Sequence, residues 1–569
     1  MRRFVTADPL ALGHDGAGEG IASPRPGPTM PQPTRCLFVY PEFRSNSFWN
    51  YRATCELVGA KYPAPPLGMI TVAAMLPEDW EVRLVDCNVA RLDPADIDWA
   101  DLVFTGGMIS QQPATLQVIA RCKERGKTVV VGGPDPTSSP HVYEEADHLV
   151  LGEAEITMPR WLQDHAAGAA QKVYACGDEK AAMTESPIPR FDLLDFGDYL
   201  HVGVQFARGC PFMCEFCDII ELFGRVPRLK TPAQMLRELD RLYELGYRGH
   251  VDFVDDNFIG NKRDVKVFLV ALREWLEAHD WPFEFSTEAS VNLADDDKLL
   301  GLMRDVGFSA IFVGIESPDE ETLKATQKLQ NTRRSLSDSL HKIYAHGIFV
   351  NTGYIVGFDT ERGSVAQGIL DLIEASAVPV NMVGLLFALP NTQLQRRLEK
   401  EGRLLDDFER VADADASDQC TAGLNFVPRR PELDVLRDYQ RVVAESYAPA
   451  AYFARVLRVG SALDCRHKKL KLPLRSVLRD LRGFLRLTWR MGVRARYRRH
   501  FWSTLARLVW RNPRGLRYSV ALMALYLHFG PFRDFVVARL DELIARRRVR
   551  PSAGVAPAVT ASARVRGAG

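Results

Sequence analysis

Three cysteines in one short stretch carry the strongest chemical signal in this chain: Arg208-Gly209-Cys210-Pro211-Phe212-Met213-Cys214-Glu215-Phe216-Cys217. Thiolates at this spacing on one loop can ligate three irons of a 4Fe–4S cluster, which normally takes four protein ligands. The flanking cysteines, Cys176 and Cys420, are distant in sequence. One iron is therefore left for a non-protein ligand, as catalytic metal sites keep a position open. Two plainer readings compete: a zinc site completed by His201, and buried structural thiols. Zinc pairs usually come as two CxxC-like units, and here there is a single trio. The other seven cysteines read as ordinary core or surface residues.

The trio follows a strand, HVGVQF (201–206), that opens a series of βα units. Its further strands are HVDFVDD (250–256), FEFSTEAS (283–290), AIFVGIES (310–317), FVNTGYIVGF (349–358) and NMVGLLFALP (381–390), separated by amphipathic helices such as MLRELDRLYELG. Six such units predict a partial (β/α)6 barrel with its chemistry at the carboxyl ends of the strands. Upstream, CLFVYP (36–41), EVRLVDC (81–87), LVFTGG (102–107), TVVVGGP (128–134) and HLVLGE (148–153) alternate with helices and predict a doubly wound, Rossmann-like domain. Thr105-Gly106-Gly107, Gly132-Gly133 and Gly152-Glu153 fall at its strand ends, where such sheets bind ligands and glycine lets backbone approach them closely.

The chain of 569 residues is too long for one core, and its 46% hydrophobic and 25% charged residues are those of a globular protein. Ten cysteines are too sparse for a disulfide scaffold. No apolar run reaches the roughly 18–20 residues of a membrane span; Ser519 to Phe529 is too short and contains His528. The N-terminus has no apolar stretch of a signal peptide, so a cytoplasmic protein with reduced thiols is expected. The division expected is a disordered extension (1–34, with Met30 as a second candidate start), the doubly wound domain (35–186), the barrel (187–430), a helical basic region (431–550) and a disordered tail (551–569). Zero net charge hides an asymmetry: residues 451–550 hold 25 Lys+Arg against 5 Asp+Glu, and the rest of the chain 47 against 67. Arginine interleaved with Leu, Phe and Trp suits an anionic membrane surface. Docking onto the acidic remainder of the chain is a second reading, and nucleic acid, the weakest, a third.

The CxxxCxxC loop, with Phe216 before its last cysteine, resembles that of the radical S-adenosylmethionine (SAM) superfamily. The resemblance implies that SAM chelates the open iron and is cleaved reductively to a 5′-deoxyadenosyl radical, with the electron from a flavodoxin- or ferredoxin-type donor. Asp255-Asp256-Asn257 matches the segment holding the SAM amino group, and Glu288 ends the third strand. Gly314-Ile315-Glu316-Ser317 matches the ribose-binding segment. Gly353-Tyr354-Ile355-Val356-Gly357 matches the adenine-side motif, although Thr360 stands at its usual acidic position, between Asp359 and Glu361. With the doubly wound domain in front, including Pro65-Pro66-Leu67-Gly68, the chain is similar to cobalamin-dependent (class B) radical SAM methylases. The loop Tyr40-Pro41-Glu42-Phe43-Arg44 lacks the histidine that ligates cobalt in other cobalamin domains, which implies cobalamin without a protein ligand below the metal. The stretches CEFCDIIELFGRVPR and VDFVDDNFIGN resemble the bacterial subgroup that includes the hopanoid C-2 methylase.

The expected function is methylation of an unactivated carbon of a lipid-like substrate, a hopanoid being one candidate. A radical carbon–carbon coupling or rearrangement and a non-catalytic cobalamin or redox sensor are the alternatives. Peripheral attachment to the inner membrane face through 451–550 would fit the lipid substrate.

Overall fold

The computed structural model describes residues 33–44, 46–405 and 423–549. The expectations for the two chain ends and for Met30 lie outside these, apart from residues 33 and 34. Strands β1 (Arg35–Tyr40), β2 (Glu81–Asp86), β3 (Leu102–Gly106), β4 (Thr128–Gly132), β5 (His148–Leu151) and β6 (Val173–Ala175) form one parallel sheet in the order β2-β1-β3-β4-β5-β6. Both faces are covered. Leu37, Val39, Val103, Val129 and Val131 meet helices on one side, while Cys36, Phe38, Phe104 and Val130 meet Trp161 and its neighbours on the other. That is why the central strands read as unbroken apolar runs. The sequence reading missed β6, a short edge strand in which only Tyr174 is buried.

The second sheet contains β7 (Val202–Val204), β10 (Gly249–Phe253), β11 (Phe283–Glu288), β12 (Phe308–Glu316), β13 (Phe349–Val356) and β14 (Asn381–Leu385). All six are parallel, in the order β14-β13-β12-β11-β10-β7. This is the expected six-stranded partial barrel. Val251, Phe253, Phe285, Ile311 and Val313 are buried beneath the outer helices. Strand alternation therefore turns Asp252, Ser286, Glu288, Phe312 and Gly314 to the concave face. A two-stranded ribbon, β8 (Ala207–Arg208) with β9 (Arg228–Leu229), was not anticipated. It pinches the cysteine loop at its base.

The helices after the barrel do not build a core of their own. Val435, Tyr439, Tyr447, Phe453, Phe529 and Val536 belong to the same continuous apolar cluster as the barrel. Tyr447 seals the outer strand, since its hydroxyl accepts from Asn381 N–H at 2.9 Å and donates to Asn381 C=O at 2.7 Å. Docking of the basic region onto the rest of the chain is thus real, and mostly apolar, with selected pairs such as Arg517–Glu284 and Arg490–Glu56. One helical stretch, Pro513–Arg548, is long and apolar enough to cross a membrane by length and composition, which corrects the expectation from run length. Half of its most apolar 18-residue window is buried inside the protein, where Phe529 packs on Phe48, Tyr447 and Tyr452.

Candidate functional site

The cysteine loop is fixed from both ends and from behind. Asp255, buried just after β10, accepts from Phe206 N–H at 2.7 Å and Ala207 N–H at 3.0 Å. Asp256 accepts from Gly209 N–H at 2.8 Å. Gly209 has φ +93°, and a Cβ there would lie 3.0 Å from the Gly224 carbonyl oxygen, so only glycine fits the pinch. Behind Cys217, Glu215 is held by Thr326 C=O, Leu394 N–H and the Arg397 guanidinium. Asp255 and Asp256 therefore position the loop. Asp255, expected to contact SAM, has both oxygens committed to backbone.

Two amides address the sulfurs: Asn257 Nδ2 lies 3.8 Å from Cys210 Sγ, and Gln330 Nε2 lies 3.8 Å from Cys214 Sγ. Burial pushes the Cys214 and Cys217 thiols up, so both are protonated until metal binding strips the protons. His201 lies at the opposite end of β7 from the trio, beside His250, so it cannot complete a zinc site. Among the described residues no three His, Cys, Asp or Glu side chains converge on one ion-sized point. A single zinc needs that convergence, whereas a cubane takes each thiolate on its own iron.

The concave face carries the remaining predicted residues. Glu316, at the end of β12, has φ +67°, a strained conformation for glutamate of the kind that collects at functional sites. It pairs with Lys328 at 2.8 Å. Burial works against the Lys328 ammonium, but the Glu316 carboxylate, joined by the Cys214 and Cys217 sulfurs when they are ionised, outweighs it and raises its pKa. Glu288 keeps an exposed surface, yet surrounding protein desolvates it and pushes its carboxyl up to about 8, helped by Asp252 and Asp256. Exposure together with desolvation marks the inside of a concavity. Burial likewise takes Asp256 up to about 6. Gly353 accommodates the Phe312 ring, which a Cβ would meet at 3.0 Å. Gly357 has φ +114°, and its N–H donates to Glu361. Of the acidic residues around Thr360, Asp359 is held by Arg397 and Arg403, and Glu361 by Arg430. Phe216, Phe358, Thr360 and Leu386 line a cavity of about 270 Å³ beside the loop.

A second cavity, about 250 Å³, lies between the sheets. Gly68, Gly133, Gly152 and Glu153 line it from the first sheet, and Gln205, Arg208, Leu222 and Phe223 from the cysteine loop. The predicted strand-end residues divide here. Thr105 spends its hydroxyl on Val39 C=O. A Cβ on Gly106 would lie 1.8 Å from Gly132 O, one on Gly132 2.8 Å from Val150 O, and one on Gly107 2.6 Å from Gln111 Oε1. Thr105, Gly106 and Gly132 serve the sheet itself, Gly107 makes room for the Gln111 side chain, and none of the four lines the crevice, which corrects their reading as ligand contacts. Gly133, Gly152 and Glu153 do face the crevice. Glu153 Oε2 takes hydrogen bonds from Arg208 and Arg228, each at 2.8 Å, while its buried Oε1 has no partner among the described residues. An orphan acceptor at the rim of a crevice fits a ligand bearing amide N–H groups, which the corrin side chains supply. The loop after β1 offers no histidine; Phe43 packs on Tyr40 and Tyr62.

Sequence reasoning missed Lys328, Gln330 and Arg208. Only Arg208, adjoining the trio, stood near a signal.

Residues 204–373 match the radical SAM superfamily, residues 57–162 the B12 binding domain, and residues 392–542 a domain of unknown function, DUF4070. An uncharacterized methyltransferase of Synechocystis sp. is 44% identical over 89% of this chain and 94% of its own length. The chain belongs to the cobalamin-dependent radical SAM methyltransferases. Its cofactors are a 4Fe–4S cluster, SAM and cobalamin. The hopanoid C-2 methylase of Rhodopseudomonas palustris is 35% identical to the enzyme, over 84% of this chain and 89% of that one. Among solved structures, the cobalamin-dependent SAM radical enzyme OxsB, with aqua-cobalamin and SAM bound, shares the fold (TM-score 0.55, 15% identity, 91% of this chain and 84% of that chain). The radical SAM methyltransferase TsrM from Kitasatospora setae does so over 65% of this chain and 75% of its own (TM-score 0.51, 15% identity).

Proposed function

We propose that the enzyme methylates an unactivated sp³ carbon of a lipid-like substrate, with a hopanoid as first candidate. The observation carrying this reading is the cavity shared by the two sheets. Strand ends of the cobalamin-binding domain and residues flanking the cysteine trio line one space, so a methyl donor held there would lie beside the loop that would carry the cluster. When bound, the cluster and SAM supply a carbon-centred oxidant and cobalamin supplies the methyl group.

The chain's own residues hold and orient. Cys210, Cys214 and Cys217 hold the cluster, and the Asn257 and Gln330 amides point at two of their sulfurs. Asp256, Asn257, Glu288 and Glu316 offer polar groups to SAM on the concave face, and Phe216 closes the adenine side. Gly353 and Gly357 serve that face indirectly, by admitting the Phe312 ring and the Leu424 and Val435 side chains. Lys328 anchors Glu316. Trp49 crosses from the first domain and meets Phe312 edge to face at 5.6 Å, an apolar wall for a substrate without polar handles. The likeness to the hopanoid C-2 methylase supports the substrate class. An external flavodoxin- or ferredoxin-type protein supplies the electron.

The test is anaerobic incubation of cobalamin-loaded enzyme with a hopanoid, reductant and SAM carrying a labelled methyl group. Labelled methyl in the hopanoid, absent with Cys214→Ala, is the expected result. SAM cleavage with a rearranged, unmethylated hopanoid would favour coupling or rearrangement instead.

A further inference from the structure

The Leu474–Leu487 helix is attached the wrong way round for a helix in water. Leu474, Val477, Leu478, Leu481 and Leu485 recur at intervals of three and four and form one stripe. That stripe faces outward: Leu474 is 72% exposed, Leu481 53% and Leu485 61%. The opposite side is the attached one. A Cβ on Gly483 would sit 2.9 Å from Val58, and Leu487 is buried. Arg486 donates to the Glu56 and Leu57 carbonyls, and Arg490 reaches the Glu56 carboxylate at 3.0 Å. Arginines thus clamp the helix to Arg52–Val58 and fix its leucines toward the outside.

The outward surface continues past the helix. Trp489 is 54% exposed, and in the next helix, Arg498–Arg511, so are Trp502, Val509 and Trp510, the last 89%. Trp502 lies against Gly492 and donates to its carbonyl at 2.9 Å, which ties the two helices at this surface. Arg482, Arg494, Arg496, Arg498, Arg499 and Arg507 are exposed and have no carboxylate partner among the described residues. Leucines in a row, indole rings at the margin and unpaired guanidinium groups around them match the layers of an anionic bilayer: acyl chain, interface and phosphate. A second copy is a poor occupant, because pairing would press like charges together.

We propose that this surface seats the enzyme on an anionic phospholipid membrane. It lies one helix from Trp49, since Arg52–Val58, on which it is clamped, begins three residues after that ring. A lipid substrate leaving the bilayer there meets the apolar wall of Trp49 and Phe312. The surface stands independently of the substrate reading.

The experiment is flotation of the full-length holoenzyme with phosphatidylglycerol-containing vesicles or with pure phosphatidylcholine vesicles. The wild type should float with the anionic vesicles and be released from them by salt. Leu478→Glu/Leu481→Glu/Leu485→Glu should need at least about tenfold more anionic lipid for half binding, with cluster content and SAM cleavage unchanged. Arg494→Gln/Arg496→Gln/Arg498→Gln/Arg499→Gln should weaken binding and remove most of its salt dependence. Unaltered flotation of the leucine variant would overturn the proposal. So would a wild type that ignores anionic vesicles, dimerises through these leucines, or prefers RNA to lipid. A protein that floats but leaves hopanoid unmethylated refutes the substrate reading alone.

Discussion

Arg208 and Glu153 meet at 2.8 Å across the seam between the two sheets, two residues ahead of Cys210. The contact joins the strand end of the cobalamin-binding domain to the root of the cluster loop. Glu155 takes the other arm of the guanidinium at 3.0 Å, and Arg228 of β9 shares the Glu153 oxygen. One side-chain network therefore sets the distance between the sites of two cofactors. Removing one partner leaves buried charge uncompensated, a loss of about 3–5 kcal/mol. Glu153→Ala should lower the urea midpoint strongly and release cobalamin. Arg208→Met should cost at least as much, because it strands the buried Glu155 as well. Arg208→Met with Glu153→Met should restore neither stability nor cobalamin retention, since Glu155 and Arg228 both lose their partners.

The crevice has one position suited to filling it without disturbing the fold. Gly68 lines it, and a Cβ there meets nothing within 4 Å. Gly68→Ala should bind cobalamin normally, while Gly68→Phe should lose the cobalamin absorbance on desalting and keep its iron. Gly106 would be a poor probe, because any side chain there collides with Gly132 in the sheet itself.

Much of this was legible in the sequence for a physical reason. Parallel strands covered on both faces are apolar throughout, and the central strands of the first sheet announce themselves that way. Barrel strands such as Gly249–Phe253 and Phe283–Glu288 show instead by alternation, apolar outward and polar toward the concave face. The cysteine trio needs only local spacing. Lys328 and Gln330 were invisible because they reach the site from a loop more than a hundred residues beyond the trio, in a stretch with no periodicity of its own. Gly106 and Gly132 misled because a glycine that admits a ligand and one that admits a neighbouring strand leave the same mark in a sequence; Gly107 makes room for Gln111, and the Thr105 hydroxyl bonds the next strand. The leucine stripe showed as amphipathic, but which face the fold would cover was decided by the carbonyls of a distant helix.

Glu316 combines a left-handed backbone with a buried ion pair, and neither is needed to fold a strand end. Glu316→Gln preserves volume and removes the charge. Iron and sulfide content should stay at wild-type level, while 5′-deoxyadenosine formation falls about ten- to a hundredfold, the loss of one charge-assisted hydrogen bond. Lys328→Met should behave alike, since it releases the Glu316 carboxylate from its anchor.

His528 ties the Leu516–Val549 helix to the loop bearing Trp49: its Nε2 lies 3.0 Å from Phe48 C=O, and its ring packs on Tyr51, Phe529 and Phe532. Burial lowers its pKa from 6.5 to about 4, against the pull of the Phe48 carbonyl. The unfolded chain therefore binds a proton at this residue below about pH 6.5, and the folded chain only below about pH 4. More protons on the unfolded side means stability rises with pH. The neutral ring's contribution is complete above pH 6.5 and fades as the pH falls toward 4. His528→Gln keeps a donor for Phe48 C=O and removes the titration. The stability of the wild type relative to this variant should be constant above pH 7 and decline by up to about 3 kcal/mol by pH 4, read from urea midpoints at each pH. A difference that stays flat across the window would mean that the folded ring is already open to water and protonates there as freely as in the unfolded chain.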